Sequence, residues 1–152
     1  MRLTPNFSLE QLIHSETAAR ERIDNTPGAD LVDNLRLLAE GLERVRMLTG
    51  FPLEISSGYR SPELNRRVGG ANASQHTQGL AADFTCAEFG SPVDIIKAIR
   101  DSDIEFDQCI LEYAKWVHIS FSKVPRGRVL TIYDPGEGYL EGLLDENGRK
   151  IA

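Results

Sequence analysis

Three histidines occur in the chain, and two of them stand among unusual neighbours: Ser74-Gln75-His76-Thr77-Gln78-Gly79-Leu80-Ala81-Ala82-Asp83 and Trp116-Val117-His118-Ile119-Ser120. A catalytic zinc site takes three protein ligands with nitrogen or oxygen donors and leaves one position for water, and imidazole with carboxylate suits that metal. His76, Asp83 and His118 supply such a set. His118 lies in an otherwise apolar run, so burial there demands a partner for its ring nitrogens. A metal is one such partner and a hydrogen bond within the core is another. Asp83 taken alone serves equally well as a strand-end residue capping a loop. Residue type and spacing leave these readings open.

The elements that must position these residues are punctuated locally. Ser8-Leu9-Glu10-Gln11 reads as a capping box opening a short helix that runs to about Thr17. From Ala29 to Thr49, Leu31, Leu35, Leu38, Leu42 and Val45 recur at three- and four-residue steps among charged residues, which predicts the main amphipathic helix, ended by Gly50. Leu53 to Ser56 suggests a strand. Ser61-Pro62 and Ser91-Pro92 each place a capping serine before a proline suited to the first helical position. Leu80 to Thr85 reads as a buried strand, Phe106 to Glu112 and Trp116 to Phe121 as a hairpin across Tyr113-Ala114-Lys115, and Gly127 to Tyr133 as a further strand. Helices first and clustered strands later predict an α+β fold, with helices packed on a small, mostly antiparallel sheet and the metal site on its exposed face.

Composition narrows the function classes. The 152 residues, 41% hydrophobic and 26% charged, suit a single domain spanning residues 1–152. A formal net charge of −6 argues against a general nucleic-acid or anionic-membrane binder. No apolar run approaches the roughly 18–20 residues that span a bilayer, and the opening Met1-Arg2-Leu3-Thr4-Pro5-Asn6-Phe7 does not resemble a signal peptide. The chain is therefore expected to be made in the cytoplasm, without stable membrane association. Cys86 and Cys109 are too few for a disulfide framework and lie in apolar runs that predict buried free thiols. No heptad seam appears, so a monomer is expected.

Several ordered blocks, Ser56-Ser57-Gly58-Tyr59-Arg60-Ser61-Pro62-Glu63-Leu64-Asn65, Ser74-Gln75-His76 with Gly79 and Asp83, Phe106-Asp107-Gln108 and Trp116-Val117-His118, together resemble the D-alanyl-D-alanine carboxypeptidase-like zinc peptidases. That family cleaves the peptide stems of bacterial peptidoglycan and includes carboxypeptidases, dipeptidases and L-alanyl-D-glutamate endopeptidases. The motif-bearing core is residues 56–121, and Phe7-Ser8-Leu9-Glu10 with the long helix looks like its short phage and prophage branch. The resemblance implies that Zn2+ is held by His76, Asp83 and His118. It further implies that Arg60 holds a substrate carboxylate, for which a planar guanidinium is suited, and that Ser74 hydrogen-bonds the substrate backbone.

In the best-known members an acidic residue stands three positions before the last zinc histidine, and here that position is Lys115. A lysine accepts no proton from water unless its pKa is strongly depressed. The phage branch carries an acid six residues before that histidine, as Glu112 stands before His118, and a tight hairpin would bring it to the metal. Glu112 is thus the expected base, with Asp107 and Gln108 read as local strand residues. Lys123, Arg126 and Arg128 are read as a solvated strand face or a basic rim. The resulting expectation is a phage lysis enzyme that acts on the cell wall after release. A second reading, kept alive by Lys115, is a non-hydrolytic zinc-containing wall-binding or phage structural module.

Overall fold

Serine hydroxyls open four of the five α-helices of the computed structural model, which describes residues 1–152. Ser8 caps α1 (Leu9–Ile13), Ser15 caps α2 (Glu16–Glu21), Ser61 caps α4 (Pro62–Arg67) and Ser91 caps α5 (Pro92–Arg100). In each, the hydroxyl accepts a free backbone N–H of the first turn. At α5 the Asp94 carboxylate answers by accepting from Ser91 N, completing a capping box. The longest helix, α3 (Val32–Thr49), follows a 3-10 turn at Ala29–Leu31 and ends on Gly50 in the left-handed conformation.

The expected single helix from Ser8 to about Thr17 is corrected. It stops at Ile13, His14 is extended, and Ser15 starts a second helix by accepting from Ala18 N at 3.1 Å. The main helix also starts three residues later than its apolar periodicity suggested, because the first turn tightens to 3-10.

Eight strands follow in two sheets. β1 (Arg2–Thr4) and β2 (Phe7–Ser8) form an antiparallel pair. The main sheet holds β3 (Glu54–Ser57), β4 (Ala81–Thr85), β5 (Gln108–Glu112), β6 (Trp116–Ser120), β7 (Arg128–Ile132) and β8 (Leu140–Glu141), in the order β3-β4-β6-β5-β7-β8. Every neighbouring pair is antiparallel except β5 and β7. That parallel pair arises because β6 returns the chain, which then passes the start of β5, where Gly127 N and Arg128 N donate to Phe106 O and Asp107 O.

Alternation along the strands divides the sheet into two faces. Ala82, Phe84, Cys109, Leu111, Val117 and Ile119 are buried against Leu35, Leu38, Leu42 and Val45 of α3 and Ile95, Ile96 and Ile99 of α5. Their alternates, Asp83, Gln108, Ile110, Glu112, Trp116 and His118, line a cavity on the other face. Helices therefore hold one side of the sheet rigid while the other carries the polar side chains, which is the expected α+β arrangement. Both cysteines are buried free thiols, and burial pushes the Cys109 pKa up to about 12. No helix is long and apolar enough to cross a membrane.

Candidate metal centre and substrate cleft

Asp83 and His118 are register partners on β4 and β6, so their side chains leave the same face of the sheet side by side. Asp83 Oδ1 lies 3.0 Å from His118 Nδ1 and 3.3 Å from His76 Nε2. His76 reaches this point from a 3-10 turn, Gln75–Gln78, immediately before β4. Its other ring nitrogen, Nδ1, is 2.7 Å from the Gly58 carbonyl oxygen; donation to that oxygen leaves Nε2 free toward the cluster. Residue 58 packs so closely on the end of α1 that only glycine fits: a Cβ there would stand 2.3 Å from Leu12 O. The two imidazoles meet edge to face at 5.0 Å.

One donor atom from each of His76, Asp83 and His118 falls within 4.8 Å of the others, and all three residues are buried. Burial lowers the His76 pKa, against the pull of Asp83, and so favours the neutral ring that a metal requires. Burial alone would raise that of Asp83, but His76 and His118 hold it well below the usual carboxylate range. Two imidazole nitrogens and one carboxylate oxygen, converging from rigid elements with an outer partner on His76, fit zinc.

The expected substrate and base residues share one cavity of about 670 Å³ with this cluster: Arg60, Ser74 and Glu112 line it together with His76, Asp83 and His118. Glu112 ends β5, and its Oε1 is 3.7 Å from His118 Nδ1. The tight turn that places it has Tyr113 and Ala114 at φ 56° and 57°, a left-handed pair that hairpins of this kind normally fill with Asn-Gly. Burial and then Asp83 raise the Glu112 pKa, opposed by His118, Arg60 and Trp116. Lys115, by contrast, is exposed in the turn and does not line the cavity.

Arg60 follows β3, and its backbone N–H donates to His76 O at 3.1 Å. Burial lowers its pKa, while Asp83, Glu112 and Tyr139 favour the charge, and its Nε is buried without a hydrogen-bond partner. Gly70 packs beside it: a Cβ there would lie 3.1 Å from the guanidinium and 2.0 Å from Asn65 Oδ1. Ser74 caps the 3-10 turn by accepting from His76 N at 3.2 Å, which leaves its hydroxyl proton free to donate into the cavity that it lines.

Asp107 was expected to be a local strand residue, and its place is different. Its buried carboxylate accepts from Arg126 Nε and Nη2 at 2.9 and 2.7 Å, and from Gln75 Nε2 at 2.9 Å. It therefore ties the turn carrying Ser74 and His76 to the segment after β6. Of the three basic residues on that segment and β7, Arg126 lines the cavity, Arg128 pairs with Glu141 and Lys123 is exposed. The Phe106-Asp107-Gln108 block was itself the signal for Asp107. Trp116, whose indole N–H is buried without a partner near Glu112, and Tyr139 also line the cavity.

A His-Asp-His cluster beside a half-buried glutamate, set in a cleft on one face of an α+β sheet, has the make-up of a metallopeptidase centre. The Peptidase M15 family model matches residues 5–120, well over half of the chain, and the chain belongs to that family of zinc-dependent peptidases. No curated protein sequence matches it. The family match ends with β6; β7, β8 and the cavity residues Arg126, Leu130 and Tyr139 lie beyond it.

Proposed function

We propose that this peptidase hydrolyses peptide bonds in the stem peptides of bacterial peptidoglycan, as a D,D-carboxypeptidase or L-alanyl-D-glutamate endopeptidase, with His76, Asp83 and His118 as its zinc ligands. The observation that carries the catalytic part is the Glu112 carboxylate, 3.7 Å from His118 Nδ1 and in one cavity with Arg60. Zinc bound at the cluster supplies Lewis acidity toward a carbonyl and lowers the pKa of water to roughly 7. Glu112 takes the proton of the attacking water and passes it to the leaving amine. Its raised pKa brings it closer to the operating pH, where a general base and acid works best. Arg60, charged and with an unpartnered Nε, pairs with a substrate carboxylate, and the Ser74 hydroxyl donates to a backbone carbonyl of the peptide.

The non-hydrolytic alternative depended on Lys115 replacing an acid. Lys115 lies outside the cavity lining and so neither blocks the cleft nor displaces Glu112. The sequence resemblance to the phage and prophage branch supports a lysis role, in which a monomeric enzyme meets the wall on release. Mass spectrometry of purified muropeptides tests the substrate. Fragments from cleavage of one stem peptide bond, abolished by a chelator and restored by zinc, are expected. Muropeptides left intact by zinc-loaded protein would overturn the proposal.

A further inference from the structure

The cavity wall beyond the family match raises a question about Tyr139. The residue is 54% exposed and lines the cavity, and its hydroxyl has no hydrogen-bond partner within the protein, whereas that of Tyr133 donates to Leu144 O at 3.0 Å. The sheet fixes its location. Glu112 pairs with Ile132 of β7, Thr131 pairs with Leu140 of β8 in antiparallel register, and Tyr139 is the residue immediately before Leu140. Trp116, Glu112 and Ile132 thus stand in one row across three strands, and Tyr139, at the entry to β8, lines the same cavity as Trp116 and Glu112.

The backbone behind it is tightly tied. Asp134 accepts from Gly136 N through its carboxylate at 2.8 Å, and from Glu137 N and Gly138 N through its carbonyl at 3.0 and 3.2 Å. Gly138, at φ 73°, reverses the chain immediately before Tyr139. An aromatic side chain presented on such a turn loses little freedom when a ligand packs against it. Burial, then the charges of Glu112 and Asp83, raise the phenol's pKa, so it stays protonated and can donate to an incoming acceptor.

From this placement we infer that Tyr139 is a substrate-contacting residue: its ring packs on the bound peptide and its O–H donates to a peptide carbonyl on the Glu112 side of the cleft. The inference rests on the peptidase reading and extends it to a residue contributed by the segment outside the family match. It assigns a use to β7 and β8, whose pairing beside β5 brings Tyr139 to the cavity that Glu112 lines.

The test combines kinetics on purified stem peptides with calorimetric binding of the same peptides in a Glu112→Gln background. Tyr139→Phe removes one hydrogen bond and should raise KM by about threefold to tenfold, with kcat changed less than about twofold. Tyr139→Ala should raise KM further, and Kd in the Glu112→Gln background should weaken by similar factors. Zinc content and melting temperature should match the parent. Unchanged KM and Kd in both variants would overturn the inference, as would a fall in kcat with a displaced pH profile at constant KM, which would put the phenol in proton transfer. A parent that neither binds nor cleaves stem peptides would overturn this inference and the proposed substrate together; one that does both without regard to residue 139 would overturn the inference alone.

Discussion

Asp83 and His118 face each other as register partners on neighbouring antiparallel strands, and the Asp83 carboxylate meets His118 Nδ1 at 3.0 Å. Cross-strand neighbours on one face are held by the ladder beneath them, so two of the three proposed metal donors are set by the sheet itself. The third, His76, depends on the turn before β4. His118→Ala and Asp83→Ala should therefore each weaken zinc binding by more than the roughly 10–100-fold typical of losing an outer-shell partner, while the core on the opposite face keeps the fold. Metal analysis alongside circular dichroism checks this. Full zinc occupancy in either variant would reject the ligand set.

Gly58 links packing to the site. A Cβ at this position would lie 2.3 Å from Leu12 O, and that backbone oxygen is itself fixed by Tyr59 N at 2.7 Å. Gly58→Ala should cost about 1–3 kcal/mol of stability by overpacking, and should weaken zinc binding because the Gly58 carbonyl orients His76. Urea unfolding and a zinc titration on the same variant read the two effects separately.

Asp107 provides a pH-dependent prediction. Its hydrogen bonds from Arg126, against the opposing effect of burial and with further help from Gln75, hold its pKa at about 2, below the roughly 3.9 of an unfolded aspartate. The folded state therefore gains stability from this group above about pH 4 and loses that gain as pH falls toward 2. Asp107→Asn should be less stable than the parent at neutral pH, and the gap should shrink across that acid window. Urea midpoints measured between pH 2 and 6 for both proteins would show it; a gap independent of pH would contradict the assignment.

Arg60 should not tolerate its nearest charged substitute. Lysine keeps the charge but lacks the planar fork that pairs with a carboxylate through two parallel hydrogen bonds. Arg60→Lys should raise KM by about tenfold or more with zinc content unchanged, as measured by steady-state kinetics. An unaltered KM would remove Arg60 from substrate binding.

What the sequence reveals and conceals follows from the range of the interactions. Ser61-Pro62 and Ser91-Pro92 announce their helices because a cap involves residues within one turn, and the two faces of β5 and β6 are legible in alternation along each strand. His76, Asp83 and His118 are legible as a donor set from residue type, and the resemblance of the surrounding blocks brings Arg60, Ser74 and Glu112 with them. Asp107 looks local in the sequence because its partners, Gln75 and Arg126, are 32 and 19 residues away and no pattern near it names them. The Tyr113-Ala114 turn hides for another reason: left-handed conformations at two residues with side chains are disfavoured, and here the paired strands on either side impose them. Tyr139 is concealed by topology, since its place in the cavity with Glu112 depends on a parallel pairing of β5 and β7 that no local signal encodes.

The base assignment is the central claim, and Glu112→Gln tests it most directly. Glutamine keeps the size and the hydrogen-bonding shape of the side chain but cannot take a proton from water. Cleavage of purified muropeptides and zinc content should be measured on the same preparations of parent and variant. The account predicts unchanged zinc content and turnover reduced by roughly 10²–10⁴-fold. A Glu112→Gln enzyme that cleaves as fast as the parent would contradict it.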